Sequence, residues 1–329
     1  ARGADVMDAT HDALYTISVF LAQHGVGAFL ATTITETHKR IEKAIEQVHL
    51  SMRMGVRGAM ILGSYLEGPF FTEKHRGAHP ARLLCPPSKA LLSQWLAVGH
   101  GTVKCVALAP EYEESLEIIS WLRAKGIRVM LGHSDASYEV AKKALSAGAN
   151  GVVHCYNGMS GLHHRSPGLV GAALTTQDCS TEIIVDGYHV DSAAVNIALR
   201  CCHHNLLLIS DAMRAAGMND GDYYLGELLV HMRNGIVRLD NGTFAGSTTA
   251  LNHAVSHFME MTELPFDEAW RHASEYPAKS LGIDKDLGTL SPGKIANIVF
   301  MTEENEIVST WISGRKAYEA RSLPKNLSM

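Results

Sequence analysis

The chain predicts an α/β fold of the (β/α)8 barrel type, and three observations lead there. Apolar runs near residues 27, 60, 105, 129, 152, 184 and 208 alternate with segments of helical character, the pattern of a parallel sheet wrapped by helices. Polar side chains close several of these runs, among them Glu67, His133, His154 and Asp211. A barrel gathers its site from many strand ends, whereas an open doubly wound sheet uses one crevice. Neither GxGxxG nor GxxxxGKS/T stands at a strand–helix junction, which argues against a nucleotide-binding open sheet.

With 329 residues, 46% of them hydrophobic, the chain can fill a barrel of about 250 residues plus a small appendage. A formal charge of -5 and a pI near 6.4 disfavour nucleic acid and anionic membranes as partners. No apolar run reaches the roughly 18 residues of a transmembrane helix, and the N-terminus lacks the regions of a signal peptide. A soluble, cytoplasmic protein is expected. The six cysteines form no CxxC pair, so buried free thiols are expected rather than a zinc knuckle or disulfides.

In chain order, residues 9–24 have amphipathic spacing and predict a helix. Residues 25–33 then form a strand, 36–54 a charged amphipathic helix, and 57–66 a strand that runs directly into Glu67. The polar, Pro- and Gly-containing stretch 71–87 is long for a loop, and such loops are often functional. A helix near 88–98, a strand at 103–109 and a helix at 113–125 follow. Residues 127–131 form the next strand and place His133 just past its end; after a helix at about 137–147, the strand 151–153 ends at His154. The 21-residue separation of the two histidines suits equivalent ends of adjacent parallel strands. The strand at 182–185 ends in Asp186 to His189, and the strand at 206–209 in Ser210 and Asp211.

Beyond Asp211 the alternation breaks. Residues 222–240 read as short strands around an Asn234-Gly235 turn, helices run to about 281, and the tail from 288 reads as antiparallel β. The expected division is a barrel unit over residues 1–285 and part of a small β-sandwich unit over 286–329. Only seven barrel strands are visible, so the first strand would lie ahead of residue 1, and the tail would pair with strands from the same absent segment.

Each strand-end side chain has a plain alternative. A histidine there is often a satisfied, half-buried side chain, Glu67 a loop carboxylate and Asp211 a helix cap. Together, Glu67, His133 and His154 offer one carboxylate and two imidazoles, which suits zinc or a similar divalent ion with a fourth position for water. Asp211 can accept that water's proton, and the implied reaction class is hydrolysis.

The segments LEGPFF (66–71), RGAHP (76–80), GHSDAS (132–137), HCYNGMSGLHHRSPG (154–168), DGYHV (186–190), SDAM (210–213), FAGST (244–248) and GTLSPGKIAN (288–297) extend nearly end to end. They resemble the N-acetylhexosamine-6-phosphate deacetylases of the amidohydrolase superfamily. Within that family HCYNGM, GLHHR and SDAMRAAGM look closer to the N-acetylgalactosamine-6-phosphate branch than to the N-acetylglucosamine-6-phosphate branch. The resemblance implies a metal-dependent hydrolase barrel with a small β-sandwich. Glu67, His133 and His154 match its metal ligands, Asp211 its acid/base, and His79 the histidine that polarises the acetyl carbonyl. Asn157, Gly158, His189 and Arg165 match its sugar-phosphate contacts. Arg165 would reach the neighbouring subunit's site, which implies a homodimer. Zinc is the expected ion, as one or two atoms, with iron, cobalt, manganese or nickel as alternatives; an HxH pair for a second ion would fall ahead of residue 1. Other readings are a cyclic amide hydrolase or deaminase, which a bridging lysine in place of Glu67 would favour, and a metal-free sugar-phosphate-binding protein.

Overall fold

The computed structural model describes residues 1–321. Residues 322–329, the end of the expected small β unit, lie outside the described residues. Seven parallel strands pair in sequence order: β1 (Ala28–Thr33), β2 (Met60–Glu67), β3 (Val103–Leu108), β4 (Arg128–Leu131), β5 (Gly151–Val152), β6 (Ser180–Ile184) and β7 (Leu206–Ile209). Every ladder is parallel, so all strands leave the sheet on one rim. The sheet curls around a central cavity lined from both of its ends, by Phe29 and Leu30 of β1 and Leu207 and Leu208 of β7. β1 and β7 do not pair with one another. This is the sequential βα barrel architecture expected, with seven parallel strands among the described residues.

The helices are those their caps and apolar faces call for. Thr10, Ser88, Ser137 and Asp191 each accept a first-turn N–H, opening helices His11–Gln23, Lys89–Gly99, Tyr138–Ser146 and Ser192–Cys202. The buried faces of these helices and of helices His38–Met54 and Ser115–Ala124, including Leu14, Ile41, Ile45, Leu92, Trp95, Ile119 and Leu122, pack on the outside of the sheet as one continuous core. Truncating an aromatic such as Trp95, fully buried here, costs about 3–5 kcal/mol in comparable cores. A smaller cluster of Phe71, Cys105, Ala107, Met130 and Val153 packs separately, beneath the rim that carries the histidines.

Past β7 the chain forms an antiparallel sheet, β8 (Gly221–Leu225), β9 (Leu228–Arg233) and β10 (Ile236–Arg238). Asn234 and Gly235 turn between β9 and β10 with φ of 53° and 76°, the two positive values a type I′ hairpin requires. A second antiparallel sheet, β11 (Ile298–Met301), β12 (Ile307–Ile312) and β13 (Arg315–Glu319), packs against helix His11–Gln23. It is joined to the barrel by polar ties: Asn297 donates to the Gly27 carbonyl at 3.3 Å and buried Asn252 to that of Asn305 at 3.1 Å. All six cysteines are free, and Cys105, Cys155, Cys179 and Cys202 are buried. No helix among the described residues is long and apolar enough to cross a membrane.

Candidate active site and metal centre

Glu67 is the last residue of β2, and His133, His154 and Asp211 each stand two residues beyond their strands. That shared phase turns all four side chains into a cavity of about 790 Å³. His154 Nε2 lies 3.1 Å from Glu67 Oε1 and 3.1 Å from His133 Nε2, and His133 Nε2 lies 3.5 Å from Glu67 Oε1. The ligand atoms all fall within 4.8 Å of one another.

The outer nitrogens fix the tautomers. His133 Nδ1 meets the His75 carbonyl at 2.9 Å and His154 Nδ1 the Asn157 carbonyl at 3.1 Å. A carbonyl only accepts, so both Nδ1 atoms carry protons and both Nε2 lone pairs aim inward. Two lone pairs and a carboxylate at these distances need a cation between them. In this chain alone a proton does that work. Burial works against charge on His154, yet the hydrogen bond and charge of Glu67 carry its pKa up to about 9. Burial holds His133 below the usual imidazole range despite Glu67. Glu67 is itself pushed up by burial, and the two histidines overcome this to hold it well below the carboxylate range. The donor set therefore fits a divalent ion that would replace the shared proton.

Asp211 faces the same cavity, its carboxyl raised to about 6 by burial and then by the charge of Glu67. His79 is buried, with Nδ1 2.8 Å from Thr35 Oγ1 and its ring 4.4 Å from that of His133. Burial, followed by the neighbouring His133, keeps it neutral, well below the imidazole range. Gly68 makes room for Thr35: at φ 90°, a Cβ there would lie 2.0 Å from its hydroxyl.

Asn157, Gly158 and His189 also line the cavity. His189 Nδ1 donates to Asp186 Oδ2 at 2.7 Å, and its ring lies 4.6 Å from that of Phe244. Gly158 has φ 60° and passes so close to His133 that a Cβ would meet Nδ1 at 2.9 Å. Arg165 is the exception. It is exposed, its guanidinium 2.6 Å from His164 Nε2, and it does not line the cavity of its own chain.

Backbone strain collects at this rim. His133, His154 and Asp211 have φ of 47°, 23° and 46°, left-handed values that side chains with a Cβ rarely take. Three residues at or beside the cavity were not singled out from sequence. Thr35 became visible only through its contact with His79. Glu182, a carboxylate inside an apolar run, carried a sequence signal; burial and then Glu67's charge raise it to about 8, against the pull of His154. Arg238 stands at the rim with its guanidinium carbon 3.9 Å from the Phe244 ring centroid.

Comparisons with known proteins agree on one family. The model of the amidohydrolase family matches residues 5–317. The N-acetylglucosamine-6-phosphate deacetylase of Vibrio furnissii is 49% identical over 325 residues, covering 99% of this chain and 82% of that protein. The N-acetylgalactosamine-6-phosphate deacetylase of Escherichia coli O157:H7 is 44% identical over 315 residues, covering 96% and 84%. A Mycobacterium smegmatis N-acetyl-D-glucosamine-6-phosphate deacetylase variant, solved in complex with N-acetyl-D-glucosamine-6-phosphate, superposes with a TM-score of 0.91 at 29% identity, covering 96% and 83%. The chain belongs to the amidohydrolase family, among its N-acetylhexosamine-6-phosphate deacetylases.

Proposed function

We propose that this chain hydrolyses the acetamido group of an N-acetylhexosamine 6-phosphate, releasing acetate and the hexosamine 6-phosphate. The observation that carries the reading is the convergence of Glu67, His133 and His154 beside Asp211 and His79 in one cavity. Glu67, His133 and His154 would hold a divalent ion, with zinc our choice for a set of two nitrogens and one carboxylate. Such an ion, when bound, supplies Lewis acidity toward water and the acetyl carbonyl.

The chain's own residues do the rest. Asp211, ionised above about pH 6, takes the proton of the attacking water and returns it to the departing amine. His79 is neutral; with the Thr35 hydroxyl donating to Nδ1, it presents an Nε2–H to the carbonyl oxygen, where negative charge develops. Asn157, the Gly158 backbone and His189 hold the sugar phosphate at the cavity wall. Arg165 belongs, on this reading, to the cavity of a second copy, which its exposure and its place outside the lining of its own cavity support. The protein then acts as a homodimer. We keep the division into a barrel unit, residues 1–285, and a small β unit from 286, which the separate β11–β13 sheet supports. Six unpaired cysteines support a reducing, cytoplasmic setting.

The test is acetate release from N-acetylglucosamine 6-phosphate and N-acetylgalactosamine 6-phosphate by chelator-stripped and zinc-reloaded protein. Zinc-dependent release is expected, and the ratio of kcat/KM values names the epimer. No acetate from either substrate, with zinc bound, refutes the reading.

A further inference from the structure

Glu111 follows β3, does not line the cavity, and has no part in the chemistry above. Its carboxylate is nonetheless the meeting point of the loops that form the rim. Oε1 accepts from Thr72 Oγ1 at 2.9 Å and from the Asp135 backbone N–H at 2.8 Å, while Oε2 accepts from Ser134 Oγ at 2.7 Å. Thr72 belongs to the loop after β2, which continues to His79; Ser134 and Asp135 follow His133 in the loop after β4.

These partners reach the ligands within one further bond. The Thr72 N–H donates to the His133 carbonyl at 3.0 Å. Thr72 Oγ1 also lies 3.1 Å from that carbonyl, but a hydroxyl has one proton, and the shorter, charged contact is to Glu111. The Ser134 N–H donates to the Gly158 carbonyl at 3.1 Å, and Ser134's own carbonyl accepts from Ser160 N–H at 3.0 Å, tying in the loop that carries His154. Ser134 Oγ additionally accepts from Ala136 N–H at 3.0 Å, so its one proton is free for Glu111.

His133 holds a left-handed φ of 47°, a conformation that persists only where the surroundings over-determine it. We propose that Glu111 is a positioning residue that clasps the loops after β2, β3 and β4 and so fixes the backbone of His133 at the metal centre. All three of its partners donate, and only an ionised carboxylate accepts from all three without turning a donor toward them. The proposal rests on the reading of Glu67, His133 and His154 as the ligand set.

The test measures zinc affinity of the full chain by competition with a chelating dye, alongside kcat and KM for the deacetylation substrate. Glu111→Gln keeps the shape but sets an amide NH2 against one donor; Glu111→Ala removes the clasp. The expected result is a zinc Kd raised about 10- to 100-fold, the usual cost of losing an outer partner of a metal ligand. At saturating zinc, kcat should fall and KM should rise, because Ser134 also anchors Gly158, one of the sugar-phosphate contacts. Zinc affinity within tenfold of wild type in both variants overturns the proposal, even if thermal stability falls. Should Glu111→Ala not fold, Glu111→Gln decides. Zinc affinity is read without substrate, so a wild-type chain that binds zinc but releases no acetate refutes the substrate reading and leaves this test standing. A wild-type chain that binds no zinc refutes the ligand set, and this proposal with it.

Discussion

Loading of the metal centre should be a competition between an ion and one proton. In the metal-free chain that proton sits on His154, where Glu67 Oε1 at 3.1 Å carries the imidazole pKa from 6.5 up to about 9. A histidine ligates only when its ligand nitrogen is deprotonated, so an incoming ion must expel the proton. The sign follows directly: below about pH 9 the proton is bound and competes, and raising pH removes the competitor. Between pH 7 and pH 9 the apparent association constant for zinc should therefore rise about tenfold over the first unit and about fiftyfold in all, the slope easing as the pH nears 9. Over most of that range about one proton should leave per ion bound. Chelator-buffered zinc titrations at several pH values give the slope. Calorimetry in two buffers of different ionisation enthalpy counts the protons. A zinc affinity flat from pH 7 to 9, or uptake with no proton release, would refute the assignment of this proton to the ligand set.

Other outcomes follow from the same geometry. Asp211→Asn should lower kcat by at least about a hundredfold while zinc stays bound; equilibrium zinc content and single-turnover rates check it. In wild type, kcat/KM should fall as pH drops below about 6, because Asp211 must be ionised to act as base, and a bound cation moves this limb to lower pH; a limb above pH 7 contradicts the role. Gly158→Ala places a Cβ 2.9 Å from His133 Nδ1 at a φ of 60°, so zinc affinity should fall at least about tenfold. The left-handed residue itself should cost about 1–2 kcal/mol in urea unfolding. Arg165→Ala should raise KM about tenfold or more with kcat little changed, the loss of a charge-assisted phosphate contact. An unchanged KM removes Arg165 from the site.

The strand-end residues were legible because each follows an apolar run, and a parallel sheet sends all such ends to one rim. Glu67, His133, His154 and Asp211 could be placed together before any coordinates. Helix Gly168–Thr175 could not be read. All but its last residue are buried, so it carries no polar face, and a helix buried all round loses its period. β5, only Gly151–Val152, is too short to announce itself except through His154. Thr35 and Glu111 were hidden for a different reason. Each acts through a partner distant in sequence, 44 residues away for His79 and 39 for Thr72, and a hydroxyl or carboxylate in a loop has no periodic signature. Glu182 was the one visible anomaly, a carboxylate within the β6 run whose position facing the cavity only the curled sheet reveals.

The left-handed turns at His133, His154 and Asp211 restrict which side chains can stand there at all. Among residues with a Cβ, asparagine, aspartate and histidine enter that region most readily, while β-branched residues are close to excluded. Those three are also residues that ligate ions or move protons. The backbone thus acts as a filter on the genetic alphabet: most random substitutions at these positions meet conformational strain, and the exchanges tolerated best are those that keep a polar donor or acceptor in the cavity. A lineage can therefore change the ion or the reaction at this rim by trading histidine, aspartate and asparagine among the three positions, with the strands beneath unchanged.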